Sequence, residues 1–175
     1  MTRHPVRRSI VAAACVAATL VQPSLAVASA RCLTPVEKTA FEVRMLQTEL
    51  MVATLTCRGV NSRDFAGQYA IFVNRHREGL KSHSTVFQGH FKRAYGGGGQ
   101  TQLDRYVTSL ANDYSRASMT GTGAFCDQQG DLFDRAATVQ PQELQRFASE
   151  RAQNRTIGVP SCGERKSNEG ASKKK

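Results

Sequence analysis

The stretch FAGQYAIFVNRHREGLKSHSTVFQGHFKRA, Phe65 to Ala94, decides how the rest of the chain is read. Its apolar and aromatic residues recur at Phe65, Tyr69, Phe72, His76, Leu80, His83, Phe87, His90 with Phe91, and Ala94. Steps of three and four put all of them on one stripe of an α-helix, which repeats every 3.6 residues. Arg63, Asp64, Gln68, Arg75, Glu78, Lys81, Gln88 and Lys92 lie off that stripe and can face water. Gly67, Gly79 and Gly89 each cost about 1 kcal/mol relative to Ala inside a helix. The stripe crosses all three without a phase jump, so the spacing predicts one long helix, with a kink near Gly79 as the alternative. Such a rod is roughly 45 Å long at 1.5 Å per residue, enough to run the length of a small domain. The predicted class is therefore all-α: a disulfide-stapled bundle of about five helices around one long central helix.

At 175 residues there is room for one domain. Residues 1–30 read as a cleaved signal peptide: Arg3, Arg7 and Arg8 with no acid, an Ala/Val-rich core from Ile10 to Leu20, and Ala28-Ser29-Ala30 as an A-x-A cleavage site. The apolar core falls short of the ~20 residues that span a bilayer. Ala12-Ala13-Ala14 before Cys15 is a poor lipid-attachment signal, and Arg7-Arg8 leaves twin-arginine export open beside the general route. Residues 31–162 form the single helical domain and 163–175 a disordered basic tail. No transmembrane span is expected after cleavage, and the location is periplasmic or secreted.

The whole chain carries 24 Lys and Arg against 14 Asp and Glu. Without the leader and the tail, the body holds an excess near +4. That mild charge favours solubility and loose attraction to anionic surfaces, not a dedicated nucleic-acid groove. Contact with anionic envelope components is expected through Lys173, Lys174 and Lys175.

Cys32, Cys57, Cys126 and Cys162 remain after cleavage, an even number that reads as two disulfides in an exported chain. No pair has the C-x2-4-C spacing of a zinc site, so no metal or cofactor is expected. If Pro35 to Cys57 is one helix, Cys32 and Cys57 sit roughly 30 Å apart. A disulfide needs Cα atoms within about 7 Å, which excludes that pair. Alternating up and down helices favour Cys57–Cys126 and leave Cys32–Cys162 to tie the N-terminus to a strap.

The remaining helices follow from caps and stripes. Thr34-Pro35-Val36-Glu37 is a capping box with Pro in the first turn. Behind it lie Val36, Ala40, Val43, Leu46, Leu50, Ala53 and Cys57, with Phe41, Met45, Val52 and Leu55 on a second face. A helix apolar nearly all round is central in its bundle. Gly59 supplies its stop and Ser62 a cap for the next helix. Gly96 to Gly99 is a hinge between helices; without a preceding strand or a Lys-Ser/Thr pair it does not read as a phosphate loop. Thr101-Gln102-Leu103-Asp104 opens a third helix carrying Leu103, Tyr106, Val107, Leu110, Tyr114 and Ala117. Thr120-Gly121-Thr122-Gly123 breaks it before a fourth with Phe125, Cys126, Leu132, Phe133 and Ala136, and Pro141 opens a fifth with Leu144, Phe147 and Ala148.

Few residues suggest chemistry. His76, His83 and His90 recur every seven residues, about 10.5 Å apart on a helix, so no two can share a metal. They are candidate pH-responsive groups, because partly buried imidazoles resist protonation and repel once charged. The blander reading is half-buried stripe residues with water or backbone partners. Asp127, Asp131 and Asp134 share a helix face, but the Gly and close ligand spacing of a calcium loop are missing. No catalytic residue is assigned: there is no G-x-S-x-G elbow, no H-E-x-x-H and no free nucleophilic Cys. Asn154-Arg155-Thr156 fits a glycosylation sequon.

Cys32-Leu33-Thr34-Pro35 with Glu37 and Phe41, Leu46 to Ala53, Cys57, Phe91 to Gly96, Tyr106 to Asn112, and Phe125-Cys126 resemble segments of a family of uncharacterised exported bacterial proteins. The resemblance spans Cys32 to Cys126 and implies an all-helical exported domain; it brings no catalytic residues. Members sometimes carry a name borrowed from S-adenosylhomocysteine hydrolase. This chain has no G-x-G-x-x-G after a strand and no α/β alternation, so it could not hold that enzyme's dinucleotide. The expected function is a non-enzymatic periplasmic or secreted helical interaction domain of the cell envelope. The alternatives are a small envelope hydrolase using a spine histidine and a pH-responsive periplasmic binding or stress protein.

Overall fold

The computed structural model describes residues 31–163; the signal-peptide reading of 1–30 and all of the basic tail beyond Gly163, Lys173, Lys174 and Lys175 included, lie outside the described residues. The architecture is all-α. In chain order the helices are α1 (Pro35–Thr56), α2 (Phe65–Arg75), α3 (Arg77–Tyr95), α4 (Gly99–Met119), α5 (Thr122–Thr138) and α6 (Leu144–Ala152), with 3-10 turns at Gly96–Gly98 and Pro141–Glu143.

α1 is the central element and touches every one of the other helices. Its start is the capping box read from the sequence: the Glu37 N–H donates to Thr34 Oγ1 at 3.3 Å and the Thr34 N–H to Glu37 Oε2 at 2.9 Å. Ala40, Phe41, Val43, Met45, Leu46, Leu50, Val52, Ala53 and Cys57 are all buried. Val36 and Leu55 are not: they are 64% and 73% exposed, outside the ring of surrounding helices. Gly59 does sit in the left-handed region, at φ +75, but in the turn after the helix has already closed at Cys57.

The Phe65–Ala94 stripe is helical along its length except at His76, where the rod is divided. His76 takes φ −101, ψ 13, ending α2 and starting α3, so the break falls three residues before Gly79. Backbone bonds from the His76 N–H to Phe72 O and from the Leu80 N–H to His76 O bridge the joint. The physical reason is that the two halves serve different partners. α2 packs chiefly on α5, whereas α3 packs on α1 and α4, and His76 is the non-helical residue between them. The α2 cap is Asp64, accepting from the Gly67 N–H at 2.8 Å, and not Ser62, which lies in the preceding turn at φ 51.

The glycine run is a tight structural joint between α3 and α4. Gly96 ends α3 at φ +53, and a Cβ on Gly99 would stand 2.8 Å from the Phe91 carbonyl oxygen. α4 begins at Gly99, and Thr101 lies inside the helix instead of capping it. Near its end Ser118 faces inward, its hydroxyl donating to Ser115 O at 2.7 Å, while Ala117 is exposed.

The structure pairs Cys57 with Cys126 and Cys32 with Cys162. The first pair joins the end of α1 to the start of α5. The second anchors a closing strap: the Leu33 N–H donates to Pro160 O and the Cys162 N–H to Leu33 O, both at 2.8 Å. Ile157 and Val159 of the strap cover an aromatic cluster of Phe41, Phe87, Phe91, Tyr95 and Tyr106, and the Tyr106 hydroxyl donates to Ile157 O at 3.0 Å. Among the described residues no helix is long and apolar enough to cross a membrane.

Candidate functional site

The three histidines of the stripe end up in three different settings. His76 and His90 are each 1% exposed, whereas His83 is half-buried at the surface of α3. Burial pushes all three imidazoles below their ordinary pKa of 6.5. At His76 the adjacent Arg75 adds to that push, and neither ring nitrogen finds a hydrogen-bond partner. The ring packs against Phe72 with centroids 4.9 Å apart.

His90 belongs to a charged cluster at the N-terminal end of α1. Arg93 grips the Glu37 carboxylate with Nε at 3.1 Å and Nη2 at 2.8 Å from both oxygens, and also donates to Cys32 O at 3.0 Å. The same Nη2 lies 3.2 Å from His90 Nδ1, which stands 3.4 Å from Glu37 Oε1. Nδ1 thus faces both a guanidinium donor and a carboxylate acceptor, so the tautomer of the ring sets which of the two it bonds. Burial works against the Glu37 anion, but the Thr34 N–H and Arg93 outweigh it and hold this carboxyl below its usual range. The same Glu37 that caps α1 therefore also clamps α3 to it.

The three aspartates of α5 do not form a cation site. Asp127 accepts from the Asn61 amide, and Asp134 accepts from Arg63 Nη1 at 3.0 and 3.1 Å and from Gln68 Nε2 at 3.2 Å. Asp127 and Asp134 pin the α1–α2 turn and α2 to α5. Among the described residues no group of three His, Cys, Asp or Glu side chains could hold a metal ion.

The strongest polar constellation lies elsewhere, around Glu49 in the middle of α1. This carboxylate is 0% exposed and accepts from four donors. Arg151 of α6 supplies Nε at 3.1 Å and Nη2 at 2.6 Å, Arg155 supplies Nη2 at 2.9 Å, and Gln129 of α5 supplies Nε2 at 3.2 Å. The Arg155 guanidinium lies over the Tyr114 ring at 4.6 Å, and bonding to Glu49 pushes the Arg151 pKa further up. Burial raises the Tyr114 phenol, with the Glu49 charge adding to it. On the solvent side of this cluster is an open polar cleft of about 440 Å³, lined by Gln128, Arg135, Glu150, Arg151, Asn154 and Arg155.

Histidine and aspartate spacing does not reach this cluster, but the sequence carries a signal for it: Glu42 and Glu49 stand seven apart, inside a helix otherwise apolar on that face, and both are buried. A carboxylate in such a place requires a cation, and Arg151 and Arg155 are spaced by four just beyond the last stripe.

Compared with known proteins, the chain matches no family model, no curated protein and no solved structure.

Proposed function

We propose that this chain is a non-enzymatic helical interaction domain working outside the cytoplasm, periplasmic or secreted, in contact with the cell envelope. The observation that carries the reading is the engagement of Cys32, Cys57, Cys126 and Cys162 in two disulfides, which form and persist in oxidising compartments. The leader-like residues 1–30 support the same location. The basic end of the chain supplies the attraction to anionic envelope components. The interior carboxylates also fit a binding scaffold better than a reacting centre: Glu37 and Glu49 are both engaged by arginines that join helices or strap to α1.

Deleting Gly163–Lys175 and fractionating the cells tests the role of the tail. Loss of envelope association is expected, with the folded domain still exported. Unchanged fractionation counts against it. A hydrolase reading would have to run through His83, because His76 and His90 are sealed from any substrate. A pH-responsive role is the second reading, favoured by the enclosure of those same two imidazoles.

A further inference from the structure

We propose that the cleft between α5 and α6 is a binding site for a phosphate-bearing anion. The inference starts from charge. One buried carboxylate, Glu49, is shared by two guanidiniums, Arg151 and Arg155, so the cluster holds one positive charge more than it neutralises. Those two side chains are only 34% and 36% exposed, so the surplus is less screened than a surface charge. Arg135 brings a third guanidinium to the same cleft. Its carboxylate partner there, Glu150, stands at 3.4 Å and is shared with Arg146 at 3.1 Å.

Geometry favours phosphate over a carboxylate. Arg151 already spends its Nε and one Nη2 hydrogen on Glu49 and Arg155 one Nη2 hydrogen, so each guanidinium meets a ligand with only part of its donor set. Arg135, Arg151, Arg155, Gln128 and Asn154 all line the open space, so a ligand there meets donor-bearing side chains from several residues instead of one. A tetrahedral oxyanion, with acceptor lone pairs facing several directions, suits such a set. The arginines are also held in place before any ligand arrives: Arg151 by Glu49, Arg155 by Glu49 and the Tyr114 face, Arg135 by the Phe147 ring at 5.0 Å. Preorganisation of this kind reduces the ordering cost of binding. The site does not involve the basic tail and stands or falls separately from it.

The test uses the full disulfide-bonded chain and inorganic phosphate, followed by calorimetry and by the NMR signals of the arginine side chains, with acetate at equal ionic strength as the control. Phosphate is expected to shift the Arg135, Arg151 and Arg155 signals, and acetate to bind at least several-fold more weakly. Arg135 and Glu150 do not touch Glu49, so both can be changed without opening the buried cluster. Arg135→Gln is expected to weaken phosphate binding about three- to tenfold. Glu150→Gln is expected to tighten it by a similar factor, because it removes the one carboxylate lining the cleft; a purely structural residue, or phosphate held by the tail, would give no such gain. Vesicles of phosphatidylglycerol form a second arm. Binding of both inorganic phosphate and vesicles, each responding to these two substitutions, identifies a lipid headgroup as a ligand source; binding of inorganic phosphate alone identifies a soluble phosphate. Equal affinity for acetate, indifference to both substitutions, or no binding in either arm overturns the proposal.

Discussion

Converting Arg151 to Met keeps most of the side-chain stem against α1 while removing the guanidinium. The Glu49 carboxylate, 0% exposed, then loses the donors at 2.6 and 3.1 Å and keeps Arg155 at 2.9 Å and Gln129 at 3.2 Å. Breaking a buried ion pair by deleting one partner costs about 3–5 kcal/mol, because the survivor is left charged in a poor solvent. Since Arg155 still neutralises Glu49, the lower end, about 3 kcal/mol, is expected for Arg151→Met. Arg155→Met removes one contact to Glu49 and the stacking on Tyr114, and should cost about 1–2 kcal/mol. The double variant strips the carboxylate of both charges, so its loss should exceed the sum of the two by at least about 1 kcal/mol. Glu49→Gln placed on Arg151→Met should recover part of the loss, because a neutral amide has no unmatched charge. Urea unfolding of the disulfide-intact proteins, followed by far-ultraviolet circular dichroism, measures all five chains. If Arg151→Met lies within 1 kcal/mol of the parent, the two losses simply add and Glu49→Gln makes Arg151→Met worse, then Glu49 is not held as the geometry says and the reasoning fails.

Acid should destabilise the bundle in a defined window. Folding holds the imidazoles of His76, His83 and His90 below 6.5, so the unfolded chain binds protons more readily. Stability is then full above about pH 6.5 and falls as pH drops from there toward the folded values, by up to about 1.4 kcal/mol per pH unit for each histidine. At His90 the Glu37 charge offsets part of this and Arg93 reinforces it, while Arg75 reinforces it at His76. Thermal midpoints at pH 5 and pH 8 should differ in the parent and converge in a His76, His83, His90→Gln triple variant; equal midpoints in both proteins would remove the pH reading. The two disulfides should not be equal: replacing Cys57 and Cys126 by Ala removes a 69-residue link through the core and should cost about 4 kcal/mol in urea unfolding. Replacing Cys32 and Cys162 should cost less than its 130-residue separation suggests, because the strap can detach while the bundle persists, an opening visible as faster exchange of the amides at positions 33 and 162. Gly89→Ala, with open space around the new methyl, should stabilise by about 1 kcal/mol, whereas Gly99→Ala meets the Phe91 backbone at 2.8 Å and should destabilise by about 1–3 kcal/mol; calorimetric midpoints moving in the same direction would contradict the close approach.

The residues that could be read directly were those whose behaviour is local. Thr34, Pro35 and Glu37 announce the start of α1 because a capping box is completed within four residues. The apolar wrap of α1 announces its central place because no other arrangement hides so much of its surface. Helix length, a rigid ruler that separates Cys32 from Cys57, excluded one of the three cysteine pairings; alternation of helix direction favoured Cys57–Cys126 with Cys32–Cys162, and the structure has that pair of links. The candidate site was less accessible. The spacing of His76, His83 and His90 located them on one stripe, but it could not distinguish the two sealed rings from the half-exposed His83.

What sequence by itself determined is the all-α class, the apolar faces of the helices and the exclusion of a Cys32–Cys57 link, since each depends on near neighbours or on the length of one rigid segment. Tertiary structure decided the rest. The division at His76 exists because α2 answers to α5 and α3 to α1 and α4, a demand no periodicity encodes. α4 begins at Gly99, two residues before Thr101, and only glycine fits there because the Phe91 carbonyl leaves no space for a Cβ. The Glu49 cluster and its cleft arise only when residues about a hundred positions apart, Glu49 with Arg151 and Arg155, are brought within hydrogen-bond distance by the docking of α6 on α1. A buried charge is tolerable only where packing delivers its partners, and packing is a property of the whole fold.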